Sequence, residues 1–288
     1  MSRRPTDPAS RPFHRINVAD VELVGVQKTL SPVLKAKALD NRLPDPILGD
    51  GYAEQAMRRL DPDYDKGIFG RNQLGLAAAE RARAHDEWAR GFLRDHRQAV
   101  VLHLGCGLDA RVFRIDPPET VDWYDLDYSA VIELRQQFLP SREHCTLISS
   151  NVTDLTWLER IPRGRPVLLI AEGLVPYLTE MDTKRLLTSI VDAFPTGQIQ
   201  LDTVSVSAWH FSRWDPLGRR YNAQFHCGFD EPATLANWHP RLKYAGEAPM
   251  NDSPVLLAKA PTAIRRIYRL MNLMPGFTQS SRIVRFQF

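Results

Sequence analysis

The stretch AVVLHLGCGLDARVFRID (residues 99–116) ends an apolar run of strand length on Gly105 and follows it with Gly107 and Asp109. Glycines there let the backbone approach a ligand closely and take up angles closed to other residues. Four further apolar runs also end on residues able to hold a ligand. TVDWYDLD delivers Asp125 and Asp127, HCTLISSN delivers Asn151, RPVLLIAEG delivers Glu172 and Gly173, and GQIQLDTV reaches Asp202. One polar residue past one strand is ordinary, whereas five in succession point to a ligand crevice.

Gly105, Gly107 and Ala110 satisfy the loose form G-x-G-x-x-G/A, and Asp127 stands about where a ribose-binding carboxylate belongs in a dinucleotide fold. Two features oppose that reading. About a hundred residues, largely helical in pattern, precede the glycine strand, and Asp109 would repel a pyrophosphate at the helix start. No Gly-Lys-Ser/Thr follows the glycines, and the chain has no H-E-x-x-H, no G-x-S-x-G and no metal-ligand cluster. A cationic ligand with ribose hydroxyls and an adenine but no phosphate fits better, and S-adenosyl-L-methionine is such a ligand. Asp127 can accept both ribose hydroxyls. Asn151 offers the adenine edge a donor and an acceptor, where an aspartate only accepts. The ligand's own carboxylate calls for an arginine or a lysine.

The elements that must carry these residues are legible in the hydrophobic pattern. From about Asp20 to His96 the period is helical, broken by proline and glycine. Beyond it the five short apolar runs alternate with SAVIELRQQFL, DLTWLERI and MDTKRLLTSIVDAF, which read as helices. That alternation predicts an α/β fold built on a doubly wound parallel sheet. Residues 1–18 are expected to be disordered, 19–97 to form a helical cap, and 98–288 to form the core, with an aromatic-rich insertion around 204–240.

Composition narrows the setting. With 288 residues, 43% hydrophobic and 25% charged, the chain can bury a large core as an ordinary globular protein. A net charge of +3 with scattered arginines gives no reason to expect a nucleic-acid partner. No apolar run approaches membrane-spanning length, so no membrane partner is expected either. Cys106, Cys145 and Cys227 are too few and too scattered for a disulfide framework or a zinc site, which suggests a reducing, cytoplasmic setting.

VVLHLGCGLDARVFRI, VDWYDLDYSAVIELRQQFL and LLIAEGLVPYLTEMDTKRLLTSI together resemble the leucine carboxyl methyltransferase family, and within it the bacterial branch containing O-methyltransferases of aromatic polyketide pathways of the tetracenomycin type. The likeness spans roughly residues 25–288 and rests on L-G-x-G-x-D-x-R and A-E-G-x-x-x-Y-L. It implies a Rossmann-like S-adenosylmethionine-dependent methyltransferase sheet under an N-terminal helical cap. It further implies that Gly105 and Gly107 line the cofactor, Asp127 binds its ribose, and Glu172 stands near its amino group. Arg81, with Arg83 as rival, would pair with the methionine carboxylate. A cap lysine contributes as well, with Lys28, Lys35 and Lys37 as candidates. Where the family has Asp-Leu for the adenine, this chain has Asn151-Val152.

The expected activity is O-methylation of a small-molecule carboxylate or hydroxyl, of the aromatic polyketide type. N- or C-methylation, a nicotinamide-dependent oxidoreductase and an inert binding protein are the alternatives. A carboxylate acceptor needs no base but wants a cation; a phenol, with a pKa near 10, benefits from one. Tyr177 is a candidate wall of the acceptor site. VSAWHFSRWDPLGRRYNAQFHCGF offers His210 or His226 as base for a phenol, and Arg213, Arg219 or Arg220 as anchor for a carboxylate. The oligomeric state is not legible.

Overall fold

A computed structural model describes residues 30–66, 76–214, 224–274 and 276–288. Its centre is a seven-stranded sheet in the order β3-β2-β1-β4-β5-β7-β6. The strands are β1 (Val100–Leu104), β2 (Asp122–Asp127), β3 (Cys145–Ser149), β4 (Val167–Ala171), β5 (Gly197–Val204), β6 (Lys243–Pro249) and β7 (Ser281–Gln287). The first five are parallel, while β7 runs antiparallel to β5 and to β6. Strand order reverses between β1 and β4, so the crevice for a ligand opens at the carboxyl ends of those two strands.

All of β1 and β4 is buried, as strands covered on both faces must be. Val100, Leu102 and Leu104 face one apolar layer with Leu186, Ile190 and Val191 of α6 (Glu180–Ala193). Val101 faces the other, with Ala89, Phe92 and Leu93 of α3 (Leu76–Asp95). The remaining helices are α1 (Leu30–Asp40), α2 (Gly51–Leu60), α4 (Arg111–Ile115), α5 (Ser129–Phe138), α7 (Val206–Ser212), α8 (Pro254–Lys259) and α9 (Thr262–Met271). DLTWLERI forms a 3-10 turn over Leu155–Arg160, started by Asp154 accepting from the Thr156 amide, rather than an α-helix.

The cap is tied down by polar as well as apolar contacts. Asp40 accepts from the amides of Ile47, Leu48 and Gly49, fixing the loop after α1, and Asp50 caps α2 by accepting from Ala53. Leu34, Ala38, Ala53 and Met57 pack on Leu108 and Leu134, which seats α1 and α2 over the end of β1. Two features differ from the sequence expectation of a cap confined to the chain before residue 98. The second half of α3 lies on the sheet as a layer helix. Its first half is joined by α8 and α9 from the far end of the chain, through Leu76, Ala79, Leu256, Ala260 and Tyr268. None of the described helices is long and apolar enough to cross a membrane.

Candidate active site

The turn after β1 is built from backbone that only glycine adopts comfortably: Gly105 and Gly107 have φ of +63° and +51°. The amides of Gly105 and Cys106 both donate to Leu126 O, and the Gly107 amide donates to Asp127 Oδ2 at 2.8 Å. Tyr128 donates its amide to the other oxygen, Oδ1, also at 2.8 Å. Arg135, buried on α5, donates to the carbonyls of Gly107 and Asp109 and holds the turn from beneath. Its other nitrogen reaches Asp125, which also accepts from His103 Nδ1 and Trp123 Nε1. Asp125 is thus consumed inside the fold, although the sequence counts it among the ligand-facing strand ends.

A cavity of about 170 Å³ opens at this place. Its wall includes Arg81, Gly105, Gly107, Asp127, Val152, Glu172 and Tyr177, each a residue singled out in the sequence. Lys37 lines it too, which selects among the cap lysines: Lys35 stays outside the wall and Lys28 lies outside the described residues. Arg81 lines the cavity, whereas Arg83 pairs with Glu80 and Glu87 on its own helix.

Asn151 is not part of that wall. It is exposed, and its Oδ1 accepts from the Thr153 amide at 3.1 Å, while its neighbours Ser150 and Val152 face the cavity. His210 and His226 are also exposed and off the wall. The reason for His226 is alternation. The next residue, Cys227, takes the inward position and donates its thiol to Val175 O. On α7, Trp209 is the half-buried residue, donating to Phe225 O, and His210 stacks on it one step further round the helix. Arg213 is exposed on the surface after α7, and Arg219 and Arg220 fall outside the described residues.

The side of the cavity under the cap is a continuous ion network. Glu172 accepts from Arg81 Nε at 3.1 Å and from Arg111, and lies 3.3 Å from the Lys37 ammonium. Asp109 meets Lys37 at 2.9 Å, Arg114 at 2.7 Å and Arg111 at 3.3 Å. Asp86 of α3 holds both Arg111 and Arg114, and Asp50 holds Arg114 from the start of α2. Asp202, at the end of β5, accepts from the Gly173 amide at 2.7 Å and lies 3.6 Å from Arg81. Asp109 is named from the sequence, whereas Asp50, Asp86 and Arg114 are not.

The network sets the ionisation of its members. Burial pushes the Glu172 carboxyl up, but Lys37, Arg111 and Arg81 outweigh it and hold it well below its ordinary 4.5. Asp109 is raised by burial too, and Arg111, Arg114 and Lys37 bring it well below 3.8. Burial lowers the His103 imidazole below its ordinary 6.5, against the pull of Asp125. Its neutral form donates from Nδ1 to Asp125 and accepts at Nε2 from Arg111. Asp127 is different: burial raises it, although two backbone amides work in the other direction.

These shifts predict how stability falls in acid. For His103, Asp109 and Glu172 the unfolded chain binds a proton that the folded chain resists, so stability drops as pH is lowered. His103 begins below about 6.5; Asp109 and Glu172 follow below 3.8 and 4.5 and continue through their depressed folded values. Asp50 and Asp127, both raised by burial, oppose the fall only within the carboxylate range. Urea midpoints are expected to be flat above about pH 7 and to decline from about 6 to 4. A midpoint that climbs over that interval would rule out the buried neutral His103.

Residues 32–191 match the leucine carboxyl methyltransferase family. The chain belongs to that family. The tetracenomycin polyketide synthesis O-methyltransferase TcmP of Streptomyces glaucescens is 40% identical over 93% of this chain and 98% of its own. The S-adenosyl-L-methionine-dependent methyltransferase dpfgK of Gibberella zeae is 34% identical over 78% of this chain and 82% of its own. In fold, the chain is similar to the crystal structure of a DUF574 family protein from Streptomyces avermitilis, with a TM-score of 0.53 at 14% identity, covering 88% of this chain and 96% of that one. This member of the family is an S-adenosylmethionine-dependent methyltransferase.

The cavity fits the cofactor chemically. The charged residues of its wall, among those described, are Lys37 and Arg81 against Asp109, Asp127 and Glu172, with His103 neutral, which leaves one carboxylate in surplus. The cofactor carries a sulfonium and an ammonium against one carboxylate, a complementary net positive charge. The glycine backbones are bare where a side chain would intrude. A Cβ on Gly173 would press on Arg81 at 3.4 Å, and one on Gly105 would press on Leu174 at 3.4 Å.

Proposed function

We propose that the chain is an O-methyltransferase for a carboxylate or hydroxyl of a small aromatic molecule of the polyketide type. The observation that carries this reading is the near full-length, 40% identity to TcmP, an O-methyltransferase of polyketide synthesis. The wall supports it: Val33, Leu34, Leu174, Tyr177 and Leu178 give the cavity an apolar side beside its ionic one. The Tyr177 ring meets Phe225 edge-on at 5.2 Å, which extends the aromatic surface from the cavity toward α7.

Bound S-adenosylmethionine supplies the electrophilic methyl group. The chain's own residues hold and orient. Gly105 and Gly107 would present backbone to the methionine and ribose portions, and Asp127 would accept the ribose hydroxyls. Val152 and the backbone beside Asn151 would flank the adenine. Arg81 and Lys37 would face the methionine carboxylate, with Glu172 holding both cations and accepting from the amino group. Because positive charge disappears in an in-line displacement, alignment and exclusion of water do most of the work. A carboxylate acceptor arrives ionised and needs no base. For a hydroxyl acceptor the bases to test are His226, next to the Phe225 that contacts Tyr177, and His210.

The test is an acceptor panel of aromatic polyketide-type carboxylic acids and phenols, incubated with S-adenosylmethionine and read by mass. Mild alkali then removes a methyl ester and leaves an ether. A carboxylate acceptor is expected to give a rate flat from about pH 6 to 9, and a phenol a rate rising toward its pKa near 10. Methylation confined to nitrogen or carbon would overturn the reading.

A further inference from the structure

Helix α9 is the most strongly amphipathic of the described helices, yet only one narrow stripe of it is used by the fold. Tyr268 is buried and Ile264 packs with it against Leu256 and Ala260 of the cap. A second apolar ridge runs along the helix and into the turn beyond it: Ile267, Leu270, Leu273 and Met274 are 40, 69, 79 and 51% exposed. The face beside that ridge carries Arg265, Arg266 and Arg269, and among the described residues no carboxylate pairs with any of them.

We infer that this face adsorbs to an anionic lipid bilayer surface, with the ridge entering the headgroup boundary and the arginines lying among the headgroups. Two properties of the sequence choose this occupant. From Ser253 to Phe288 the chain has six basic residues, Lys259, Arg265, Arg266, Arg269, Arg282 and Arg285, and no aspartate or glutamate. Lys259 and Arg282 are matched by Asp45 and Glu247, and Arg285 lies over the Trp88 ring, so three of the four charges without a carboxylate partner gather on α9. A second copy of this face would bring like charge against like charge, and the chain's own first seventeen residues carry four arginines against one aspartate. The occupant must therefore be both anionic and able to take single protruding leucines. Apolar and basic residues segregated to separate faces, with too few apolar ones for a spanning segment, describe an interfacial helix lying on a bilayer. The sequence reading, which expects no membrane partner, rests on the lack of an apolar run of spanning length and does not address a helix lying on the surface of a bilayer.

Full-length protein is sedimented with vesicles of phosphatidylglycerol and phosphatidylcholine, and with phosphatidylcholine alone. Binding to the anionic vesicles is expected to exceed binding to the neutral ones at least about tenfold and to weaken with salt. Arg266→Glu with Arg269→Glu, and separately Leu270→Ser with Leu273→Ser, should each reduce it at least about tenfold. Both pairs should leave S-adenosylhomocysteine affinity unchanged, which shows that the variants remain folded. Three results would overturn the inference. Wild-type protein could bind both vesicle types alike. Light scattering could show a dimer that the leucine variant dissolves, making the face a self-contact. Or the protein could bind polyglutamate in place of vesicles, losing affinity only with the arginine variant, which would make the partner an acidic polymer.

Discussion

Replacing Arg111 by methionine is expected to lower the unfolding free energy by about 3–5 kcal/mol, the usual consequence of removing one partner from a buried ion pair. In a thermal melt this corresponds to a fall of roughly 10 °C. Arg111 is fully buried and is the point through which three carboxylates and one imidazole are joined. Nε donates to Asp86 at 2.6 Å, Nη1 donates to His103 Nε2 at 3.2 Å, and Nη2 reaches Glu172 and Asp109. Methionine fills much of the volume, so the cost comes from charge rather than a cavity. Asp86 and Asp109 retain Arg114, and Glu172 retains Lys37 and Arg81, but each loses a donor it cannot replace with water. A double variant with Glu172→Gln should be less unstable than the sum of the two singles by at least about 1 kcal/mol, because the second change removes a carboxylate the first left under-paired. Urea unfolding at pH 7 measures all four corners. An Arg111→Met protein within about 1 kcal/mol of wild type would show that water or backbone shift meets these carboxylates after all.

The network also explains what could and could not be read from the sequence. Strands β1 and β4 announce themselves because each is buried throughout and so is apolar without strict alternation, as in VVLHL and VLLIA, while the partly exposed β2 and β3 are legible from the turn residues that bound them. The glycines and Asp127 are legible because they stand at a fixed place, the first residues past a strand, where a ligand crevice must be. Strands β6 and β7 are harder. Lys243–Pro249 is mostly exposed and mixed in type, since an edge strand has little to bury. Asp50, Asp86 and Arg114 are invisible for a different reason. Their residue types are those of a solvated surface, and only packing α2 and α3 against the turn after β1 turns them inward. The same limit hides from the sequence that His210 and His226 are exposed and off the wall: an aromatic segment says that apolar surface exists, but which of two neighbouring residues faces in depends on local phase. At 226 and 227 that phase gives the inward place to the cysteine.

Asp127→Asn should separate binding from folding, in contrast to Arg111. S-adenosylhomocysteine affinity is expected to fall at least about 100-fold, since hydrogen bonds to a charged acceptor contribute about 1.5–3 kcal/mol each and two ribose hydroxyls are involved. The free protein should change in stability by no more than about 1 kcal/mol, because two opposing effects are small and nearly cancel. The amide can satisfy only one of the Gly107 and Tyr128 N–H groups that the carboxylate now accepts, which costs stability. Against this, burial raises the Asp127 carboxyl, so its ionised form at neutral pH is a burden on the folded state that asparagine removes. A carboxylate held in that condition has its return in the ligand. Titration calorimetry and urea unfolding on the same variant give both quantities. Affinity within threefold of wild type would take the ribose from Asp127, and a loss of several kcal/mol in stability would make it a structural pin of the glycine turn.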